Sequence, residues 1–272
     1  MHSLRDVHGI AVASNLPFTD DPRLVADEAR QIEELGFVAL WRSGVLPMID
    51  VAVRATRHLP IATGIVSVSK VPAPEVIALY EALERDHPGR FTVGIGGAHD
   101  AHPLRTLDAY LDALDAAGIP VERRVLAALG PKMLGLARDR TAGAYPNLVT
   151  PEYVAAARER LGPDRFLTVL VMTAAIPDRE VARTAALERL PLFTASGPYR
   201  DNLLRLGYSE ADIDGLSDRL FDRLVAWGDG AAIAAHLAEF RAAGADQVVL
   251  RLLDVDGDLT AARDRVAAAL FS

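Results

Sequence analysis

The sequence predicts an α/β protein whose parallel strands close into a single-domain TIM (β/α)8 barrel. Short apolar runs rich in β-branched residues alternate with amphipathic helical segments, and eight such strand–helix units occur in the 272 residues. No stretch rich in Pro, Gly and Ser divides the chain. A closed barrel needs eight βα units in about 250 residues, whereas a doubly wound open sheet, the competing arrangement, seldom has eight regular units. We therefore expect one domain over residues 1–272.

Each predicted strand is a short apolar run, as expected for parallel strands that are buried on both faces. Polar residues, glycine and proline bound these runs and separate them from the helices. The runs recur regularly enough that a helix fits after each one. The eight predicted strands cover residues 8–13, 38–41, 61–66, 91–96, 124–129, 144–149, 166–172 and 247–252.

The helices are predicted from their end signals and apolar spacing. In the first helix, Asp21 fits the N-cap, Pro22 fits the first turn and Gly36 marks the end of the helix. Further helices are predicted at 46–57, 72–86, 103–117, 131–140 and 151–161, in the segment that ends at Gly244, and from 259 to 270.

Residues 175–229 depart from this regular alternation. The segment is too long for a connection between a strand and the next helix of a barrel. We expect it to form additional helices over the C-terminal mouth of the barrel, after the seventh strand. Active sites of TIM barrels lie at that mouth.

The composition excludes several classes of function. The net charge of −8 argues against nucleic acid or an anionic membrane as the main partner, because both need basic patches. The chain has no cysteine, which excludes disulfides, thiolate catalysis and iron–sulfur clusters. Its first residues lack the features of a signal peptide, and no apolar stretch is long enough to span a membrane. We expect a soluble cytoplasmic protein that acts on a small molecule.

The segment PGRFTVGIGGAHD has two interpretations. As a dinucleotide-binding loop it is incomplete, because Gly94, Gly96 and Gly97 fit the first two positions of the fingerprint but His99 occupies the third. Pro103 also delays the following helix. In a barrel, the glycines let a flat ligand approach the end of the fourth strand, and His99 points into the mouth as a general acid or base. A solvent-exposed loop histidine is the alternative.

Six motifs in a fixed order carry a resemblance to a known family. The motifs LGFVALW, IATGI, PGRFTVGIGG, AALGPKML, RLGYS and AGADQVVL resemble those of the bacterial luciferase-like oxidoreductases, most closely the coenzyme F420-dependent branch of actinobacterial type. The resemblance spans residues 8–252. It implies a TIM barrel, a homodimer, and hydride transfer between F420 and an organic substrate. An FMN-dependent monooxygenase and a noncatalytic ligand-binding member are alternatives.

The same resemblance implies roles for individual residues. A non-proline cis peptide between Gly64 and Ile65 would form a bulge that supports the back of the cofactor ring. His99 would be the proton donor beside the ring, and Gly96 and Gly97 belong to the same cofactor site. Trp41 would flank the ring, although a core tryptophan is equally compatible with the sequence. Residues 42–44 depart from the acidic or histidine-bearing pattern of the family, which puts the substrate and cofactor preference in doubt.

Two predicted helix starts are candidates for binding the cofactor's phosphate. Leu129 and Gly130 end the fifth strand and open a helix, and Thr150 does the same after the sixth strand. Backbone N–H groups at a helix start bind phosphate, and a threonine hydroxyl can add to them. Ordinary N-capping explains both patterns equally well. A barrel enzyme that acts on a phosphorylated substrate without redox chemistry, with Lys70 near the mouth, is a further alternative.

No metal site is predicted. His99 and His102 have the spacing of two ligands, but no third ligand follows at a suitable distance. Residues 254–258 resemble the start of a calcium loop, but Arg265 occupies the position where the loop needs an acid. We expect these acidic residues to cap the last helix.

Overall fold

The structure is a computed structural model that describes residues 9–16, 18–194 and 197–271. Its strands are β1 Gly9–Ala13, β2 Leu40–Arg42, β3 Ile61–Thr63, β4 Val66–Ser67, β5 Phe91–Gly96, β6 Arg124–Leu126, β7 Gly143–Ala144, β8 Phe166–Ala174, β9 Val225–Trp227 and β10 Gln247–Leu252.

The helices follow the strands in alternation. They are α1 Pro22–Glu34, α2 Leu46–Ala55, α3 Ala73–Asp86, α4 Pro103–Ala116, α5 Pro131–Arg140, α6 Pro151–Leu161, α7 Arg179–Arg189, α8 Pro191–Thr194, α9 Pro198–Arg205, α10 Glu210–Gly215, α11 Asp218–Leu224, α12 Gly230–Ala242 and α13 Leu259–Phe271. None of the helices in the described part of the chain combines the length and the apolar character needed to cross a bilayer.

The strands form a closed parallel barrel. The sheet runs β10-β1-β2-β3-β5-β6-β7-β8, and pairing of β8 with β10 closes it. Each of the eight strand positions around the barrel is called a stave. β3 and β4 together form the third stave, and β4 pairs with β5. Within the described residues these strands supply the eight staves that the sequence predicts, and the TIM barrel is confirmed.

Three predicted strands are interrupted or shortened in the structure. Strand 61–66 is interrupted at Gly64–Ile65, and strands 124–129 and 144–149 shorten to 124–126 and 143–144. In the last case Pro146 has no N–H to donate to the ladder, so pairing beyond it is reduced to a single bridge from Asn147 to Leu170. His8, the first residue of predicted strand 8–13, lies outside the described residues.

Local end signals predicted the first helix correctly. The Asp21 carboxylate accepts a hydrogen bond from the Arg23 amide at 2.8 Å, and Pro22 occupies the first turn. Gly36, just beyond the helix, has a φ of 85°, a left-handed conformation that favours glycine. The helix buries Ile32 and its neighbours on one face against the barrel.

The segment after the seventh stave is helical, as predicted. Helices α7 to α11 form their own hydrophobic cluster, which also includes Leu148, Met172 and Leu253 from the ends of the barrel strands. The insertion therefore packs against the mouth on the side of β8 and β10. The strand β9, which the sequence analysis missed within 175–229, pairs with β8 through Met172 and Val225.

Candidate active site

The barrel mouth contains a group of small inward-facing positions. Strand side chains alternate between the barrel interior and the surrounding helices. Trp41, Val125 and Tyr145 belong to the cluster that fills the interior. Around them, the inward positions at the carboxyl ends of four staves carry at most a methyl group. These positions are Ala13, Gly64, Gly96 and Ala127.

Trp41 and Tyr145 form the floor of this mouth. Their rings stack with centroids 4.2 Å apart and an interplanar angle of 28°. Trp41 is 1% exposed, and its indole N–H donates to Gln247 Oε1 at 2.9 Å. The structure therefore places Trp41 in the barrel core, beneath the position where it would flank a ligand.

The third stave bulges at Gly64 and Ile65, where the peptide bond is cis, as the resemblance implied. A Cβ on Gly64 would lie 2.9 Å from Tyr145 Cε1 and 3.4 Å from Trp41 Cε3, so a side chain has no room there. The Ile65 carbonyl oxygen accepts a hydrogen bond from the Gly44 amide at 3.1 Å. The bulge thus lies directly on the aromatic floor and is tied to the end of the second stave.

The unusual segment 42–44 has a structural explanation. Arg42 is fully buried and points away from the mouth, where its Nη1 donates to Glu28 Oε2 and to Ser14 Oγ, both at 2.8 Å. A Cβ on Gly44 would lie 2.7 Å from Val66 Cα, so the close approach to the bulge requires glycine. Two of the three departures from the family pattern therefore serve the fold.

The glycines after the fourth stave pack against the bulge. A Cβ on Gly96 would lie 2.7 Å from Ile65 Cδ1 and 2.8 Å from the Ala127 methyl group. Gly97 has a φ of 67°, and its carbonyl oxygen accepts a hydrogen bond from Ser69 Oγ at 2.7 Å. These contacts position the loop by close packing rather than by cradling a phosphate.

His99 lies three residues beyond the fourth stave and is exposed. Its backbone amide donates to Ser69 Oγ at 3.3 Å, which ties the loop to the segment after β4. The loop next to it is tied to the first turn of α4, because the Asp100 carboxylate accepts from the His102 amide and the Thr106 hydroxyl, both at 2.6 Å. The loop is thus held through its backbone and through Asp100, and His99 is exposed at the rim of the mouth.

The two predicted phosphate sites differ in availability. Thr150 is buried, and its hydroxyl caps α6 by accepting from the Tyr153 amide at 3.4 Å. Gly130 caps α5 without a side chain, and a Cβ there would have no atom within 4 Å. The Leu129 carbonyl oxygen between the two helices accepts from the Tyr153 hydroxyl at 2.7 Å. The start of α5 is thus open to a ligand, whereas the Thr150 hydroxyl serves its own helix.

A cleft of about 370 Å³ borders the start of α6. It is lined by Thr150 and Glu152 from the barrel and by Tyr208, Arg219 and Arg223 from the insertion. The Arg219 guanidinium lies 4.6 Å from the centre of the Tyr208 ring. This cleft is where the insertion and the sixth stave meet.

The sequence analysis missed three polar side chains at the mouth. Ser43 Oγ and Tyr145 Oη are buried and have no hydrogen-bond partner among the described residues. Burial raises the pKa of Tyr145 far above its usual range, so its hydroxyl is protonated at neutral pH. Arg251 on β10 faces inward near Tyr145. A period of two through QVVLRL, counted from Gln247, was the signal that could have identified Arg251.

No group of three metal-binding side chains occurs in the described ranges. The acidic segment after β10 makes turns and a cap instead. The Asp254 carboxylate accepts from the Gly257 amide at 2.7 Å, and the Asp258 carboxylate accepts from the Ala261 amide in α13 at 2.9 Å.

The comparison with known proteins finds similarity in three-dimensional structure but not in sequence families. No protein-family model matches the sequence, and no curated protein matches it. An F420-dependent secondary alcohol dehydrogenase in complex with an F420–acetone adduct aligns with a TM-score of 0.72 and 15% identity, over 97% of this chain and 99% of that chain. The coenzyme F420-dependent tetrahydromethanopterin reductase from Methanopyrus kandleri aligns with a TM-score of 0.76 and 16% identity, over 97% and 98% of the two chains.

A flavin enzyme aligns equally completely. The oxygenating constituent of 3,6-diketocamphane monooxygenase from Pseudomonas putida, a type II Baeyer–Villiger monooxygenase in complex with FMN, has a TM-score of 0.69 and 13% identity, over 97% of this chain and 99% of that chain. At such identities the proteins share their fold with this chain. Over nearly its whole length, the chain therefore has the same barrel fold as F420-dependent and FMN-containing oxidoreductases.

Proposed function

We propose that this protein is a luciferase-like oxidoreductase that transfers hydride between coenzyme F420 and a small organic substrate. The observation that carries the proposal is the mouth of the barrel. There the bulged third stave rests on the Trp41–Tyr145 floor, and the inward positions of the neighbouring staves carry small residues. The likeness in fold to two F420-dependent enzymes and the order of the sequence motifs support the same conclusion.

The residues at the mouth fit a flat polar ring. Gly64 and Gly96 have no room for a Cβ, because Tyr145 and Trp41 lie against the first and Ile65 and Ala127 against the second, so no side chain projects from these two positions. The Ser43 and Tyr145 hydroxyls lie buried without partners in the described part of the chain, and a buried unsatisfied polar group costs about 1–3 kcal/mol. A ring that carries carbonyl and N–H groups would satisfy such hydroxyls.

The chain's own residues would position the reactants. A bound deazaflavin supplies hydride transfer, and the protein supplies binding, orientation and electrostatics. We assign to Gly64 and Ile65 the support of the ring, and to the amides at Leu129 and Gly130 the binding of the phosphate. His99, at the exposed rim, would hold or release the proton that accompanies the hydride.

An FMN-dependent monooxygenase is the second candidate. The monooxygenase that aligns with this chain is in complex with FMN, and a similar mouth accommodates either ring. A reduced deazaflavin reacts poorly with oxygen, so the identity of the cofactor decides between the two reactions. The sequence resemblance also implies a homodimer and an F420-dependent branch of actinobacterial type. We include both in the proposal, together with the cytoplasmic location expected from the composition.

The proposal is tested by titrating the protein with oxidised F420 and following the quenching of fluorescence. Gly130→Glu places a carboxylate at the start of α5, and Gly135→Glu, later in the same helix, is the matched control. Both positions have open space around a new Cβ. Repulsion between the carboxylate and the phosphate should weaken F420 binding about tenfold or more in Gly130→Glu. Gly135→Glu should bind as the wild-type protein does.

Two results would contradict the proposal in different ways. Equal F420 affinities in the two variants would show that the phosphate does not bind at the start of α5. Absence of F420 binding to the wild-type protein would show that the protein does not use F420.

A further inference from the structure

Arg251 is the last inward-facing residue of the eighth stave. Two positions earlier, Val249 packs in the interior cluster, and Gln247 accepts a hydrogen bond from the Trp41 indole inside the barrel. Because side chains on a strand alternate, Arg251 points into the mouth, one layer above these residues. Its charge is close enough to Tyr145 to influence the pKa of the phenol.

Arg251 lacks a carboxylate partner. Its Nη1 donates a hydrogen bond to the Ser14 carbonyl oxygen at 3.3 Å, and no acid in the described residues forms an ion pair with it. Glu28 acts on it from a distance, but Glu28 already pairs with Arg42 and Arg263. Buried charges in proteins are normally paired. The guanidinium of Arg251 therefore retains donors for a partner from outside the chain.

Burial and nearby charges act on the pKa of Arg251 in opposite directions. Burial and the cation of Arg189, the last residue of α7, lower it, whereas Tyr145 and Glu28 raise it. The Tyr145 hydroxyl, buried and without a partner in the described chain, lies beside the same space. On the insertion side, the Tyr199 hydroxyl from α9 is hydrogen-bonded to Asn147. An arginine without a carboxylate partner and an unsatisfied hydroxyl thus both lie at the mouth.

We propose that Arg251 binds an oxyanion, a carboxylate or a phosphate, that the substrate carries. A guanidinium offers paired N–H donors that match such groups, and bidentate pairs of this kind are among the strongest hydrogen bonds in proteins. This proposal rests on the proposed function, because it names the substrate class of the same mouth. Tyr145 lies against Gly64 and is close enough to Arg251 to feel its charge, which would place the anion near the ring.

The first experiment measures anion binding without any cofactor. Inorganic phosphate and acetate are titrated separately by calorimetry at constant ionic strength into wild-type protein, Arg251→Gln and Arg138→Gln. Arg138 is exposed on α5 and pairs with Asp139, so its variant removes an equal charge elsewhere. We expect Arg251→Gln to bind one of the two anions at least about tenfold more weakly and Arg138→Gln to bind it as wild type does. The anion affected identifies the carboxylate or the phosphate.

The thermal midpoint without anion distinguishes ligand binding from a structural role. Removal of an unpaired buried charge should leave the midpoint of Arg251→Gln unchanged or higher, whereas a structural arginine would lower it. Affinities equal to wild type in Arg251→Gln, or no saturable binding to wild type, would overturn the proposal.

A second experiment separates this proposal from the proposed function. F420 is titrated into wild type and Arg251→Gln, and we expect equal affinities. A parallel loss of F420 binding in Arg251→Gln would make the anion the phosphate of the cofactor and overturn the assignment to the substrate. Failure of wild type to bind F420, with anion binding that depends on Arg251, would refute the F420 reaction and leave the anion site intact.

Discussion

The substitution Glu28→Gln tests whether Arg42, which departs from the family pattern, stabilises the fold through its buried ion pair with Glu28. One oxygen of the Glu28 carboxylate accepts from Arg42 at 2.8 Å and from Ser14 at 2.6 Å, and the other accepts from the Asn15 amide at 3.1 Å and from Arg263 at 3.3 Å. Glutamine keeps one acceptor oxygen and turns an NH2 group towards the remaining donors. The change also leaves the Arg42 guanidinium buried without a counter-charge.

The expected loss of stability follows from this geometry. Removing one partner of a buried ion pair costs about 3–5 kcal/mol. Unfolding entropy scales with chain length, so for 272 residues this loss corresponds to a decrease in Tm of about 5–9 °C. Thermal unfolding by circular dichroism, together with urea unfolding, measures both quantities.

Asp27→Asn is the matched control, because it lies next to Glu28 on α1 but pairs with Arg30 at the exposed surface. An exposed pair contributes at most about 1 kcal/mol, so the control should lower Tm by less than about 2 °C. If Glu28→Gln changes Tm no more than this control does, Arg42 is not held by a structural ion pair and our explanation of the segment 42–44 is wrong.

Two further predictions concern protonation. Burial lowers the pKa of His236 against the opposing charges of Glu239 and Asp222, with Arg223 adding to the effect. The unfolded chain therefore takes up this proton first as pH falls below about 6.5, so the free energy of unfolding should decrease less between about pH 7.5 and about pH 5.5 in His236→Phe than in wild type. Equal decreases would show that His236 does not contribute. His99→Ala should bind F420 within about twofold of wild type and lose turnover about 100-fold or more with any substrate that the wild-type protein converts; unchanged turnover would exclude His99 from the reaction.

Local signals in the sequence predicted most of the barrel. Strands 91–96 and 247–252 were predicted with the observed limits because their apolar runs end at clear breaks. The helices 131–140 and 151–161 were likewise predicted from a proline at the first position. The limits of such elements can be predicted from the apolar run and its end signals, since neither depends on contacts with residues that are distant in the sequence.

The site depended on contacts that the sequence does not specify. The burial of Arg42 follows from Glu28 on α1, which becomes its neighbour only when the barrel closes. The hydroxyl of Thr150 is used by its own helix, which the sequence analysis left as an alternative to phosphate binding. Arg251 was not identified within its apolar strand, because only the folded barrel shows that it has no carboxylate partner.

The measurement that tests the central claim most directly is a parallel titration of the wild-type protein with oxidised F420 and with FMN, to determine both dissociation constants. The account predicts micromolar or tighter binding of F420, about −8 kcal/mol, and FMN binding at least about tenfold weaker. Tighter binding of FMN would instead favour oxygen-using chemistry. A dissociation constant above about 1 mM for both, corresponding to about −4 kcal/mol, would contradict the cofactor site at the barrel mouth.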